Sequence, residues 1–79
     1  MTADVDAILA EILSRVLRRP LAPGEPLSRT DEPRWDSLRH LEIVFAVEAA
    51  FGVAFTPDEI AAAGDLAALR AKVLGPDAA

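Results

Sequence analysis

Val5, Ile8, Leu9, Ile12, Leu13, Val16 and Leu17 follow i, i+3, i+4, i+7 spacing without a break. At about 3.6 residues per turn they form one apolar stripe on a helix that is polar elsewhere. Such a stripe is stable only when covered. In a chain of 79 residues the cover has to come from other short elements. Asp4, Asp6 and Glu11 fall early and Arg15, Arg18 and Arg19 late, which complements the helix dipole. Pro20 cannot continue the helix, so the spacing predicts a first helix over residues 3–18.

Residues 19–35 have neither helical nor strand periodicity. Pro20, Pro23, Gly24, Pro26 and Pro33 punctuate them, with Ser, Thr and Asp turn formers between. A connection this long in so small a chain is unusual and often functional. Leu21 and Leu27 are expected to pin it to the core, with a short turn around Ser28–Glu32. A second helix is predicted from Asp36 or Ser37 to Ala50, with Asp36 as its N-cap and Gly52 as its stop. Its apolar face reads as Leu38, Leu41, Val44, Phe45, Val47 and Phe51, and its wetter side as Arg39, His40, Glu42 and Glu48. Thr56-Pro57-Asp58-Glu59 is a capping box with proline in the first helical position, opening a third helix that must end before Gly64. Asp65 caps a last helix over residues 66–74, Gly75-Pro76 end it, and the tail Asp77-Ala78-Ala79 is read as loose. No run alternates well enough for a strand. The expectation is one all-α domain, residues 1–79, of three longer helices and a short third one. Ile8, Leu9, Ile12, Val16, Leu41, Val44, Phe45, Phe51, Leu66 and Leu69 are the expected core.

Composition narrows the function. Thirteen acidic residues against eight basic ones give a net charge of -5, which argues against nucleic acid and for basic partner surfaces. No cysteine is present, hence no thiol chemistry of the chain's own, and with one histidine a zinc site lacks ligands. No run matches a membrane span or a signal peptide, so a monomeric cytoplasmic protein is expected.

Few residues compete for chemistry. Asp31-Glu32 lies in a polar loop, and Asp58-Glu59 is explained by its helix N-terminus. Ser37 and His40, three residues apart, could be drawn as a hydrolytic pair. So small a domain has little room for the oxyanion hole and pocket such a pair needs, and His40 is better read as an exposed residue paired with Asp36. Asp36-Ser37-Leu38 remains. A serine in the first turn of a helix is exposed, can be esterified without disturbing the core, and would hold a phosphate near free N–H groups and the positive dipole end.

Trp35-Asp36-Ser37-Leu38, then Leu41-Glu42-Ile43-Val44 and Val47-Glu48-Ala49-Ala50-Phe51-Gly52-Val53, resembles an acyl carrier protein. The likeness extends through Thr56-Pro57-Asp58-Glu59 to Asp65-Leu66 and covers the chain from Val5 to Val73. It implies a four-helix bundle of acyl-carrier type that is not itself an enzyme. It implies 4′-phosphopantetheine on the Ser37 hydroxyl, placed there from coenzyme A by a phosphopantetheinyl transferase, with acyl groups carried as thioesters on its thiol. Asp36 would help the transferase position its metal ion, and Leu38 would serve the docking surface or the core beside it. The helix after Ser37 would dock the loading ligase or transferase and the downstream acyl-processing enzymes, with Glu42 and Glu48 on its acidic face. Arg39, His40, Ala49 and Ala50 depart from the acidic pattern of fatty-acid carriers. Trp35 replaces the commoner glycine, to anchor the loop or to touch the arm or a partner. These departures favour a free-standing carrier in polyketide or other specialised acyl metabolism. An aminoacyl carrier loaded by a stand-alone ligase, and a helical interaction module without a prosthetic group, are the alternatives.

Overall fold

Four helices carry the computed structural model through residues 2–75, the part of the chain it describes: α1 (Thr2–Leu17), α2 (Ser37–Phe51), α3 (Pro57–Ala62) and α4 (Leu66–Leu74). The reading of residues 77–79 as a loose tail falls outside the described residues. The described residues contain no strand, and an antiparallel bridge joins Ser28 to Asp65. No helix among them is long and apolar enough to cross a membrane.

The α1 stripe forms except at Ile8, an expected core residue that lies at the exposed edge of the stripe. Leu9, Leu13 and Leu17 are fully buried, Val5, Ile12 and Val16 pack at the edge of the core, and Ile8 is exposed. Each fully buried leucine contributes about 1.5–3 kcal/mol of apolar transfer. Helix α1 packs against both α2 and α4. Its end is set by more than Pro20: Arg18 takes the left-handed conformation at φ 57°. The Arg34 guanidinium donates to the carbonyls of Leu17 (3.4 Å) and Arg18 (2.9 Å), closing helix-end acceptors that would otherwise need water. Glu32, buried beside it, accepts from the Arg34 N–H and from the Arg19 guanidinium.

Helix α2 sits in a different rotation from the one its sequence suggests. His40, Ile43, Val44 and Val47 face the core, whereas Leu38, Leu41 and Phe45 face outward. Leu38 is 69% exposed and Phe45 58%. Apolar residues stand almost all round this helix, so periodicity could not choose the buried side. The choice is made by Trp35, only 2% exposed, whose indole Nε1–H donates to His40 Nδ1 at 2.9 Å. Since indole nitrogen only donates, Nδ1 is the acceptor and the proton sits on Nε2, which donates to the Ile60 carbonyl at 2.7 Å. His40 is therefore not an exposed residue paired with Asp36. It is a buried link from the loop through α2 to α3, and Asp36 pairs with Arg39 instead.

The remaining caps follow the sequence. Gly52 ends α2 at φ 67°, a conformation costly for any residue with a Cβ, and its N–H returns to Glu48 O. The Thr56–Glu59 capping box is closed in both directions. Glu59 also accepts from Lys72, tying α3 to α4, and Asp65 caps α4 through the Ala68 N–H.

Ile43→Ala should destabilise the protein by about 2–5 kcal/mol, while Phe45→Ala on the opposite face should change stability by no more than about 0.5 kcal/mol. Trp35→Phe, which strands the His40 acceptor, should cost about 1–3 kcal/mol. Urea unfolding followed by circular dichroism gives all three values.

Candidate functional site

The end of the long connection is held from two sides. From inside, Trp35 is buried and bonded to His40. From outside, Arg29 reaches back over it: its Nε donates to the Trp35 carbonyl at 3.1 Å. Arg29 is itself fixed through its backbone, whose N–H donates to Gly64 O at 2.8 Å beside the Ser28–Asp65 bridge. Leu66 N–H returns to Leu27 O at 2.9 Å. Leu21 and Leu27 pack against the core, and the turn expected at Ser28–Glu32 forms through Asp31 N–H to Ser28 O and Glu32 N–H to Arg29 O.

Asp36 takes extended backbone and caps α2, its Oδ1 accepting from Arg39 N–H and its Oδ2 from the Arg39 guanidinium, both at 2.9 Å. Ser37 is the first residue of α2 and is exposed. Its Oγ accepts from Arg29 Nη2 at 3.1 Å. Its hydroxyl oxygen thus stands in the open at the positive end of a helix, with a guanidinium on one side and a carboxylate one residue away. The helix end and the guanidinium favour an anion at that oxygen, while the Asp36 carboxylate opposes one and is itself offset by Arg39. The Asp36 carboxyl is held below its ordinary range, first by the Arg39 N–H and then by the charge of Arg39, with Arg29 adding to it. The capping N–H of Thr56 with Lys72 holds Glu59 low, and the N–H of Arg34 with Arg19 holds Glu32 low.

The structure brings Asp36, Ser37 and Arg39 together with Leu38 exposed beside them. Glu42 is exposed further along α2 and makes no ion pair among the described residues. Two of the expected docking positions are engaged elsewhere. Trp35 points inward, so it offers no side-chain surface to a partner, and the loop-anchoring role is the one it fills. Glu48 is half-buried and accepts from Phe55 N–H at 2.7 Å, closing the turn between α2 and α3. The Ser37–His40 pair does not form, because both ring nitrogens of His40 are committed to Trp35 and Ile60. The residue that sequence reading misses is Arg29. It lies eight positions before Ser37 in a stretch without periodicity, and its only local signal is a cation set among turn formers.

Two surface grooves lie away from this constellation. One, about 490 Å³, runs between residues 24–31 of the loop and the start of α4, and the other, about 320 Å³, is an alanine-lined slot between α3 and α4. Ser37 lines neither. No cluster of three or more metal-ligating side chains occurs among the described residues. Comparison with protein-family models, with curated proteins and with solved structures gives no match.

The lowered carboxyls make stability depend on acid. Groups whose folded pKa is depressed stabilise the fold above their ordinary range, and that contribution is lost as pH falls through it because the unfolded chain binds protons first. The melting temperature should therefore fall between about pH 5 and pH 3. Asp36→Asn keeps a capping side chain but removes one titrating group, so its fall over the same range, followed by thermal melts, should be smaller.

Proposed function

We propose that this chain is an acyl carrier, with Ser37 as the attachment point of a 4′-phosphopantetheine arm. The observation that carries the reading is the Ser37 hydroxyl, exposed at the first turn of α2, bonded to a cation and preceded by the capping Asp36. The Trp35-to-Val53 sequence pattern and the four helices, with a long connection before the second, are consistent with an acyl-carrier-type bundle. In the loading step, Ser37 Oγ forms the new P–O bond and the anhydride P–O bond of coenzyme A breaks. The adenosine bisphosphate half leaves, and the hydroxyl proton passes to the transferase. The arm supplies a thiol, which a chain without cysteine lacks, and tethering raises the local concentration of the carried acyl group at each docked enzyme.

Leu38, Leu41 and Phe45 form an exposed apolar row on α2 that begins beside Ser37. We read this row as the docking face, with Arg39 and Glu42 among its polar neighbours. Its mixed charge favours a dedicated set of partners in polyketide or other specialised acyl metabolism. The same row also supports the second reading, a helical interaction module without an arm.

Intact mass separates the two. Incubated with a broad-specificity phosphopantetheinyl transferase, magnesium and coenzyme A, the chain should gain one phosphopantetheine. Ser37→Ala should gain none and keep its melting temperature. No gain by the folded wild-type chain would overturn the carrier reading in favour of the interaction module. Leu38→Glu combined with Phe45→Glu should lower kcat/KM of loading by about tenfold, roughly 1.4 kcal/mol of transition-state binding, with little change in unfolding midpoint.

A further inference from the structure

Arg29 has no carboxylate within ion-pair distance among the described residues, although its charge reaches the Asp36 carboxyl. Among the described residues Arg15, Arg19, Arg39, Arg70 and Lys72 each lie within ion-pair distance of a carboxylate. Arg34 is spent on the carbonyls that end α1, and Arg18, exposed just past α1, has no ion pair and no side-chain hydrogen bond among the described residues. Arg29 has no such partner, yet it is not a loose surface arginine. Its main chain is bonded to Gly64 and its Nε to the Trp35 carbonyl, so the guanidinium is aimed before anything binds. One Nη2 hydrogen goes to Ser37 Oγ. The other Nη2 hydrogen and both on Nη1 have no acceptor among the described residues.

We propose that Arg29 is a positioning residue for the phosphodiester that joins the arm to Ser37, an inference that rests on the carrier reading. A phosphorus bonded to Oγ places its charged oxygens one bond beyond the atom that Arg29 already touches. The planar fork of a guanidinium matches two such oxygens, which a lysine in its place would not do. Arg39, the other cation near the site, is held by Asp36 and is less free to serve. The phosphate is therefore drawn toward the side of Ser37 that faces residues 27–31, and the arm leaves the surface in a set direction. Loading also adds a tie between α2 and the segment bridged to Asp65 at the start of α4, so the loaded protein is more stable than the unloaded one.

The test compares apo and loaded forms of wild type, Arg29→Gln and Arg29→Lys. Each is loaded as above and checked by intact mass, so that every variant supplies its own apo baseline. Wild type should gain a few degrees of melting temperature on loading, on the scale of one charge-assisted contact in a domain this small (about 4–8 °C per kcal/mol). The gain should shrink as salt is raised. Arg29→Gln should lose at least half of it, Arg29→Lys less, and the phosphorus-31 resonance of the diester should move in both variants. Equal gains and an unmoved resonance in Arg29→Gln would overturn the proposal while leaving the carrier reading intact. If Arg29→Gln does not fold, an unmoved resonance in Arg29→Lys overturns it. A folded wild-type chain that takes up no phosphopantetheine overturns the carrier reading, and this inference with it.

Discussion

Three groups in a line, the Trp35 indole, the His40 imidazole and the Ile60 carbonyl, hold this structure in register. A neutral imidazole has one donor and one acceptor, and here each meets its complement inside the protein. The line crosses three segments: the end of the long connection, the second helix and the third. It sets the rotation of α2, seats the loop end under the bundle and positions a third helix too short to be stable alone. Inside a low-dielectric core a half-satisfied line would be worse than none, so its parts stand or fall together.

The site depends on that line. Ser37 is exposed because Trp35, two residues earlier, is buried, and the chain turns outward between them at the capping Asp36. Arg29 completes the fixation from the solvent side, tying the same loop end to the segment that meets α4. A connection rich in proline and without regular structure is thus held at several points: Arg34 at the end of α1, Glu32 between Arg19 and Arg34, Arg29 at Ser37. The length of the loop provides reach, and its arginines supply the order that a helix or strand would otherwise give.

Local signals in the sequence were sufficient for helix positions. Periodicity placed α1, and the Thr56 capping box, the Asp36 and Asp65 caps and Gly52 placed the ends of the others to within a residue or so. On α1 the stripe was legible but its centre was not, since Ile8, expected in the core, is exposed while Leu13 and Leu17, outside the expected core, are fully buried; on α2 even the side was hidden, because Leu38, Leu41 and Phe45 are as apolar as Ile43, Val44 and Val47. There a polar residue, His40, decided the matter through a partner five positions away in the loop, and reading histidine as a surface residue hid it. The same holds for the site. Ser37 and Asp36 were visible because capping is local. Arg29 was not, because its role depends on how a loop without period folds back. Trp35 and Glu48 looked available for partners because sequence shows side-chain chemistry but not what that chemistry is already bonded to.

The rotation of α2 has a consequence for how this protein can change. Its inner residues are buried where it packs on α1 and α4, while its outer apolar row is exposed, so replacements on the two faces share few neighbours and should add nearly independently. Stability and surface character are then separately adjustable along a single helix. A lineage could rewrite the outer row repeatedly, acquiring or losing the recognition it offers, without spending the narrow margin that keeps so small a bundle folded.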